Sequence, residues 1–124
     1  MKKHSTKSEF GSELNICSFS VRGKIGKGDV VHLSDEIIKA IKMTPMPGAL
    51  LCSYPFDSKG GNGFTFFQAL TESFLAVDAW DDLCGAYIFI ASCNPFDKMK
   101  VKKLLAAQGL KVTEIKPIKL HLRT

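Results

Sequence analysis

Three short segments rich in aromatic and β-branched residues, 64–70, 73–80 and 85–91, follow one another with only Thr71-Glu72 and residues 81–84 between them. Gaps this short leave no room for the crossover that parallel neighbours need, so the three segments predict an antiparallel meander. Residues 13–21 alternate, with Leu14, Ile16 and Ser18 on one side and Asn15, Cys17 and Phe19 on the other, and 49–54 is a short apolar run. Both read as strands. Two other segments have helical spacing. Val30 or Val31, Ser34, Ile37 or Ile38 and Ile41 form one stripe behind Asp29, which suits an N-cap, and Thr44-Pro45-Met46-Pro47-Gly48 stops that helix. Asn94-Pro95 predicts the start of a second helix carrying Met99, Val101, Leu104 and Leu105, with Gly109 ending it. Residues 110–122 close the chain as a strand in which Pro117 disfavours a central, fully paired position. The expected fold class is α+β, a two-layer sandwich of a mainly antiparallel β-sheet with helices on one face.

At 124 residues and 13.6 kDa, with 45% hydrophobic residues and a mean hydropathy of +0.05, the composition is that of one globular domain, 12–124, behind a polar tail, 1–11. A chain this size buries roughly two thirds of its unfolded surface, a thin core that association would support, so a homodimer is expected. No apolar run reaches the roughly 18 residues that span a membrane, and the basic start Met1-Lys2-Lys3-His4 leads into polar residues, which points to the cytoplasm and no membrane partner. The four cysteines, Cys17, Cys52, Cys84 and Cys93, form no Cys-x-x-Cys pair; Cys17 and Cys52 are expected to be buried free thiols, and no metal site is expected. The net charge of +5 is spread over the tail, the loop at Lys24 and Lys27, the second helix and the last strand. With no accompanying aromatic stripe, it does not point to nucleic acid.

Chemistry concentrates in one stretch. Gly60-Gly61-Asn62-Gly63 permits positive φ and close backbone approach just before the strand that leads to Glu72-Ser73, and Cys93 lies twenty residues beyond. A serine on a strained turn can attack the carbonyl of the residue before it. The same residues also fit an ordinary loop feeding an ordinary hairpin, and spacing alone leaves both readings open.

Residues 56–96 resemble the S-adenosylmethionine decarboxylases of the short prokaryotic type. The family has a Gly-rich loop, a Leu-Ala-Glu-Ser-His-like segment, His-Thr-Trp-Pro-Glu and Thr-Cys-Gly. The corresponding stretches here are Leu70-Thr71-Glu72-Ser73-Phe74, Asp78-Ala79-Trp80-Asp81-Asp82 and Ser92-Cys93-Asn94, in register without a gap. The resemblance implies self-cleavage between Glu72 and Ser73. Ser73 attacks the Glu72 carbonyl, the peptide becomes an ester, and elimination leaves a pyruvoyl group derived from Ser73, the cofactor. Its ketone forms a Schiff base with an amino-acid substrate and accepts the electrons left when carbon dioxide departs, which no side chain can do. Cys93 would protonate the product carbanion, and a helix starting at Asn94 would lower its thiol pKa. Thr65 would hold the Glu72 carbonyl or the ester oxyanion.

Two family histidines are replaced here, one by Asp78, which would be a weaker base, and one by Phe74. Asp82 stands where the family has a ribose-binding Glu. Asp78, Trp80 and Asp82 would share a face if the strand runs through them, an acidic patch suited to an amine or sulfonium, although Asp81-Asp82 equally suits a polar turn. The family's adenine-stacking aromatic has Lys59 at the ungapped position, with Phe56 three residues away. His32 and His121 read as surface residues. Strict alternation puts Ser73 and Asp78 on opposite faces of one strand. The implied function is a pyruvoyl-dependent decarboxylase of polyamine (spermidine) biosynthesis acting on S-adenosylmethionine. The alternatives are a decarboxylase of ornithine or arginine, a non-processing homologue that binds a ligand or regulates a partner, and a basic interaction module.

Overall fold

Pairing of neighbouring hairpins builds most of the sheet. The computed structural model describes residues 13–55, 57, 59 and 61–121, and the expected tail, 1–11, lies outside them. In chain order the elements are β1 (Glu13–Arg22), α1 (Lys27–Ala40), β2 (Leu50–Ser53), β3 (Gly63–Leu70), β4 (Ser73–Trp80), β5 (Gly85–Ser92), α2 (Lys98–Ala107) and β6 (Lys111–His121). They form one six-stranded sheet in the order β2-β3-β4-β5-β1-β6, with every neighbouring pair antiparallel. The expected meander is β3 to β5; β2 adds to it at one edge and β1 and β6 extend it at the other. Pro117 sits on the edge strand β6, where the register against β1 slips between Ile16 and Ser18.

Period-two alternation then decides the layers. Cys17, Phe19 and Val21 of β1, Phe64 and Phe66 of β3, Leu75, Val77 and Ala79 of β4, and Ala86, Ile88 and Ile90 of β5 are all buried on one face. Val30, Leu33 and Ile37 of α1, with Val101 and Leu105 of α2, cover them. Each large side chain so buried stabilises the fold by about 1.5–3 kcal/mol relative to exposure. Among the described residues no helix lies over the opposite face, where Leu50, Phe67, Phe74, Tyr87, Ile118 and Leu120 remain 45–55% exposed. The architecture is therefore the α+β sandwich expected, with both helices on one side. Neither helix among the described residues is long and apolar enough to cross a membrane.

Three local expectations are corrected. α1 starts at Lys27 with Gly26 at its N-cap, which leaves Asp29 in the first turn, where the helix dipole favours a carboxylate. α2 starts at Lys98: Asp97, not Asn94, is the cap, and its side chain accepts a hydrogen bond from the Met99 N–H at 3.0 Å. Cys52 is exposed because β2 is a four-residue edge strand with no layer over it, whereas Cys17 is buried as expected.

Candidate active site

Leu70 pairs directly with Ser73, so Thr71 and Glu72 alone make the β3–β4 turn. Glu72 takes φ 63°, a left-handed conformation that costs a residue with a side chain about 1–2 kcal/mol. The segment after α1 fastens this turn from outside. Thr71 N–H donates to the Thr44 carbonyl at 3.0 Å and Met46 N–H to the Ala69 carbonyl at 2.8 Å, while the buried Gln68 amide donates to the Met46 carbonyl at 2.8 Å.

Across the sheet, Ser73 pairs with Ser92, and the Ser73 hydroxyl donates to Ser92 Oγ at 2.6 Å. Ser92 is fully buried, and its Oγ also accepts the Asn94 N–H at 2.9 Å. Asn15 Nδ2 donates to the Ser92 carbonyl at 3.4 Å. The next residue, Cys93, donates its backbone N–H to the Glu72 carbonyl at 3.2 Å. A donor so placed points at the oxygen on which charge develops when a hydroxyl adds to that carbonyl. Beside the turn lies an open depression of about 230 Å³ lined by Lys42, Thr44, Thr71, Glu72, Asn94 and Pro95, among others.

A second cluster lies on the helix-free face. Thr65 and Asp78 are register partners on β3 and β4, and the Thr65 hydroxyl donates to Asp78 Oδ1 at 2.6 Å. Tyr54, just beyond β2, brings its hydroxyl within 2.6 Å of Thr65 Oγ1 and 3.2 Å of the same carboxylate oxygen. Burial, ahead of the nearby Asp78 charge, raises the Tyr54 pKa above its usual value. Trp80 follows Asp78 on the same face. Its ring stands 5.9 Å from that of Tyr54 and 5.9 Å, edge-on, from that of Tyr87, the β5 partner of Asp78. Only a glycine fits at position 63, because a Cβ there would collide with the Ala79 carbonyl and the Tyr54 ring.

Glu72, Ser73 and Cys93 thus meet at one end of β4, while Thr65, Asp78 and Trp80 meet further along it on the other face. Five residues of extended strand separate Ser73 from Asp78, about 17 Å. Within one chain, Thr65 therefore reaches Asp78 and not the Glu72 carbonyl it was expected to hold. Asp82 leaves the expected shared face: β4 ends at Trp80, and residues 81–84 form the turn. The Asp82 carboxylate instead packs against Gly61, whose φ of 76° and lack of a side chain admit it. Cys93 is not at a helix terminus, since α2 opens only after Asp97. Phe56 lies outside the described residues. His32 pairs with Glu36 at 3.6 Å and His121 lies 4.0 Å from Glu13, both exposed and away from these clusters.

Comparison with solved structures finds the same fold in an enzyme. The crystal structure of the adenosylmethionine decarboxylase from Aquifex aeolicus superposes with a TM-score of 0.55 over 89% of each chain, at 14% sequence identity. At that identity, the likeness establishes a shared fold. No protein-family model matches the sequence, and no curated protein matches it.

Ser92, Tyr54, Tyr87 and the Cys93 backbone N–H join these clusters without having been expected from the sequence. The signal for Ser92 was present in the turns. Once Trp80 is paired with Gly85 across the turn 81–84, counting back along the hairpin brings Ser92 opposite Ser73. The expected strand stopped one residue short of it. Tyr54 had no such signal, because its place depends on the path of the loop between β2 and β3.

Proposed function

We propose that this chain is a self-processing decarboxylase of the pyruvoyl type, cleaving between Glu72 and Ser73 and acting on a cationic amino-acid substrate, S-adenosylmethionine first among them. The observation that carries the reading is the grip on the Glu72-Ser73 link: the hydroxyl is seated on Ser92, the carbonyl is bonded by the Cys93 N–H, and Glu72 lies in a left-handed turn. The fold shared with an adenosylmethionine decarboxylase supports the same reading.

In the first step, Ser73 Oγ bonds to the Glu72 carbonyl carbon, the Glu72–Ser73 C–N bond breaks, and the hydroxyl proton ends on the Ser73 nitrogen. The Cys93 N–H steadies the oxyanion as it forms. Loss of the Ser73 α-proton then expels residues 1–72 as a free carboxylate, and water releases ammonia from residue 73. The resulting pyruvoyl group supplies an electron-accepting carbonyl for loss of carbon dioxide from an α-amino acid. Cys93, half-buried beside residue 73, is the candidate proton donor to product. Asp78, with the rings of Tyr54, Trp80 and Tyr87 around it, suits a sulfonium or ammonium group, and at about 17 Å from Ser73 on the other face of the sheet it would meet a substrate held at residue 73 only across an interface with a second copy. Ornithine and arginine therefore remain the alternative substrates.

A second reading, a non-processing homologue that binds a ligand, draws on Asp78 standing where the family has histidine and being engaged by Thr65 and Tyr54. Denatured intact mass of the purified chain, beside Ser73→Ala, separates the two. The decarboxylase reading expects two fragments split at Glu72-Ser73, the second with a blocked N-terminus, and one uncut chain for S73A. A single uncut mass for both proteins sinks it and leaves the binding homologue. If cleavage occurs, carbon dioxide release from S-adenosylmethionine, ornithine and arginine identifies the substrate.

A further inference from the structure

Consecutive residues of β5 and the segment after it hold both partners of the proposed bond-making step. Ser92 Oγ accepts the Ser73 hydroxyl at 2.6 Å, and the Cys93 N–H binds the Glu72 carbonyl at 3.2 Å. Ser92 is itself held: its Oγ takes a second hydrogen bond from the Asn94 N–H, its carbonyl takes one from Asn15, and nothing of it reaches solvent. A hydroxyl oxygen has two acceptor sites, and both are filled by protein donors here. A serine at a strand start otherwise chooses among three staggered χ1 wells, whereas attack on the preceding carbonyl requires one arrangement with the reacting atoms about 3–3.5 Å apart.

We infer that Ser92 is the positioning residue for self-cleavage, holding the Ser73 hydroxyl in place for attack on Glu72. This role rests on the self-processing reading. Ser92 takes no proton in the step: Oγ of Ser73 gains the Glu72 carbonyl carbon, the C–N bond breaks, and the proton passes to the Ser73 nitrogen. What Ser92 supplies is a fixed acceptor that restricts where the nucleophile points.

The test follows intact mass over time in freshly purified full-length wild type, Ser92→Ala and Ser92→Thr, with and without hydroxylamine, which cuts an ester between residues 72 and 73; a cut at the hydroxylamine-sensitive Asn62-Gly63 peptide bond is told apart by its fragment masses. Thermal unfolding checks that the variants are folded. S92A is expected to cleave about ten- to a hundredfold more slowly, with no extra fragment released by hydroxylamine, and S92T to recover most of the rate because it keeps the hydroxyl. If S92A does not fold, Ser92→Cys, which keeps the volume but offers a weak acceptor, is expected to show the same slowing. Cleavage of S92A, or of S92C in its place, at the wild-type rate overturns the positioning role and leaves self-processing standing. Accumulation of a hydroxylamine-labile ester in S92A also overturns it, since the attack would then proceed unaided. A wild-type chain that never cleaves overturns the self-processing reading and this role with it.

Discussion

Cys17 shows how one buried side chain couples the stability of this fold to pH. Its thiol lies in the core, near Lys98 and Glu114, which pair at 2.6 Å. Burial first, and the Glu114 charge second, push its pKa up to about 11 from 9.0, against the opposing pull of Lys98. The folded state therefore favours the neutral thiol. That contribution is complete below pH 9, where the unfolded thiol is also protonated, and is lost as pH rises through the window from about 9 to about 11. A shift of this size corresponds to about 2–3 kcal/mol. In urea unfolding at pH 8, 9, 10 and 11, the wild type is expected to lose stability relative to Cys17→Val across that window. A difference that stays flat with pH would show that the thiol is not held neutral by the core. Tyr54 drifts in the same sense, since its raised pKa also makes the folded state favour the neutral form above pH 10.

At the scale of elements, the start of α2 separates a local signal from its context. Asn94-Pro95 carries the residue types of a helix start, yet the Asn94 N–H is spent on Ser92 Oγ at the exit from β5, and the helix waits for Asp97. Asp97→Ala is accordingly expected to cost about 1 kcal/mol in urea unfolding, and the loss of the Asn94 side chain in Asn94→Ala clearly less. Equal losses, or a larger one at Asn94, would mean that the helix begins where the sequence suggested. The other elements were readable because their signals are local or periodic: the stripe Val30, Ile37, Ile41, the alternation in β1, and the two short turns of the meander. Pro117 correctly marked an edge. The site was readable in part. Glu72, Ser73 and Cys93 come together because two hairpin registers place them so. The exposure of Cys52 is not legible in the sequence, because an apolar run does not reveal whether a layer covers it. The pairing of Thr65 with Asp78, away from Glu72, follows from a register that the residue types alone do not declare.

The whole molecule is lopsided, and that asymmetry bears on whether it works alone. One face of the sheet is sealed by both helices, while the other leaves Phe67, Phe74, Tyr87, Ile118 and Leu120 about half exposed on four of the six strands. Large apolar side chains grouped this way mark an interaction surface more often than a solvated one. A second copy is the occupant we propose, in line with the thin core of a 124-residue chain. Light scattering of the purified protein is expected to give twice 13.6 kDa, and Phe67→Lys combined with Ile118→Lys to give the monomer, while Val31→Lys, exposed on α1 and away from that face, leaves the dimer intact. A wild type that runs as a monomer overturns the proposal. The same double variant separates two ways the site could work. Ser73, Ser92 and Cys93 are complete within one chain, so cleavage that depends on them alone should survive in the monomer. Asp78 and Thr65 stand about 17 Å away on the face a second copy would cover, so any part they play at Ser73 has to come from the partner. Cleavage lost on separation of the copies, with the fold intact, would assign that part to them. Cleavage retained would confine the first step to the turn and the β5 end, and leave Asp78 to the substrate.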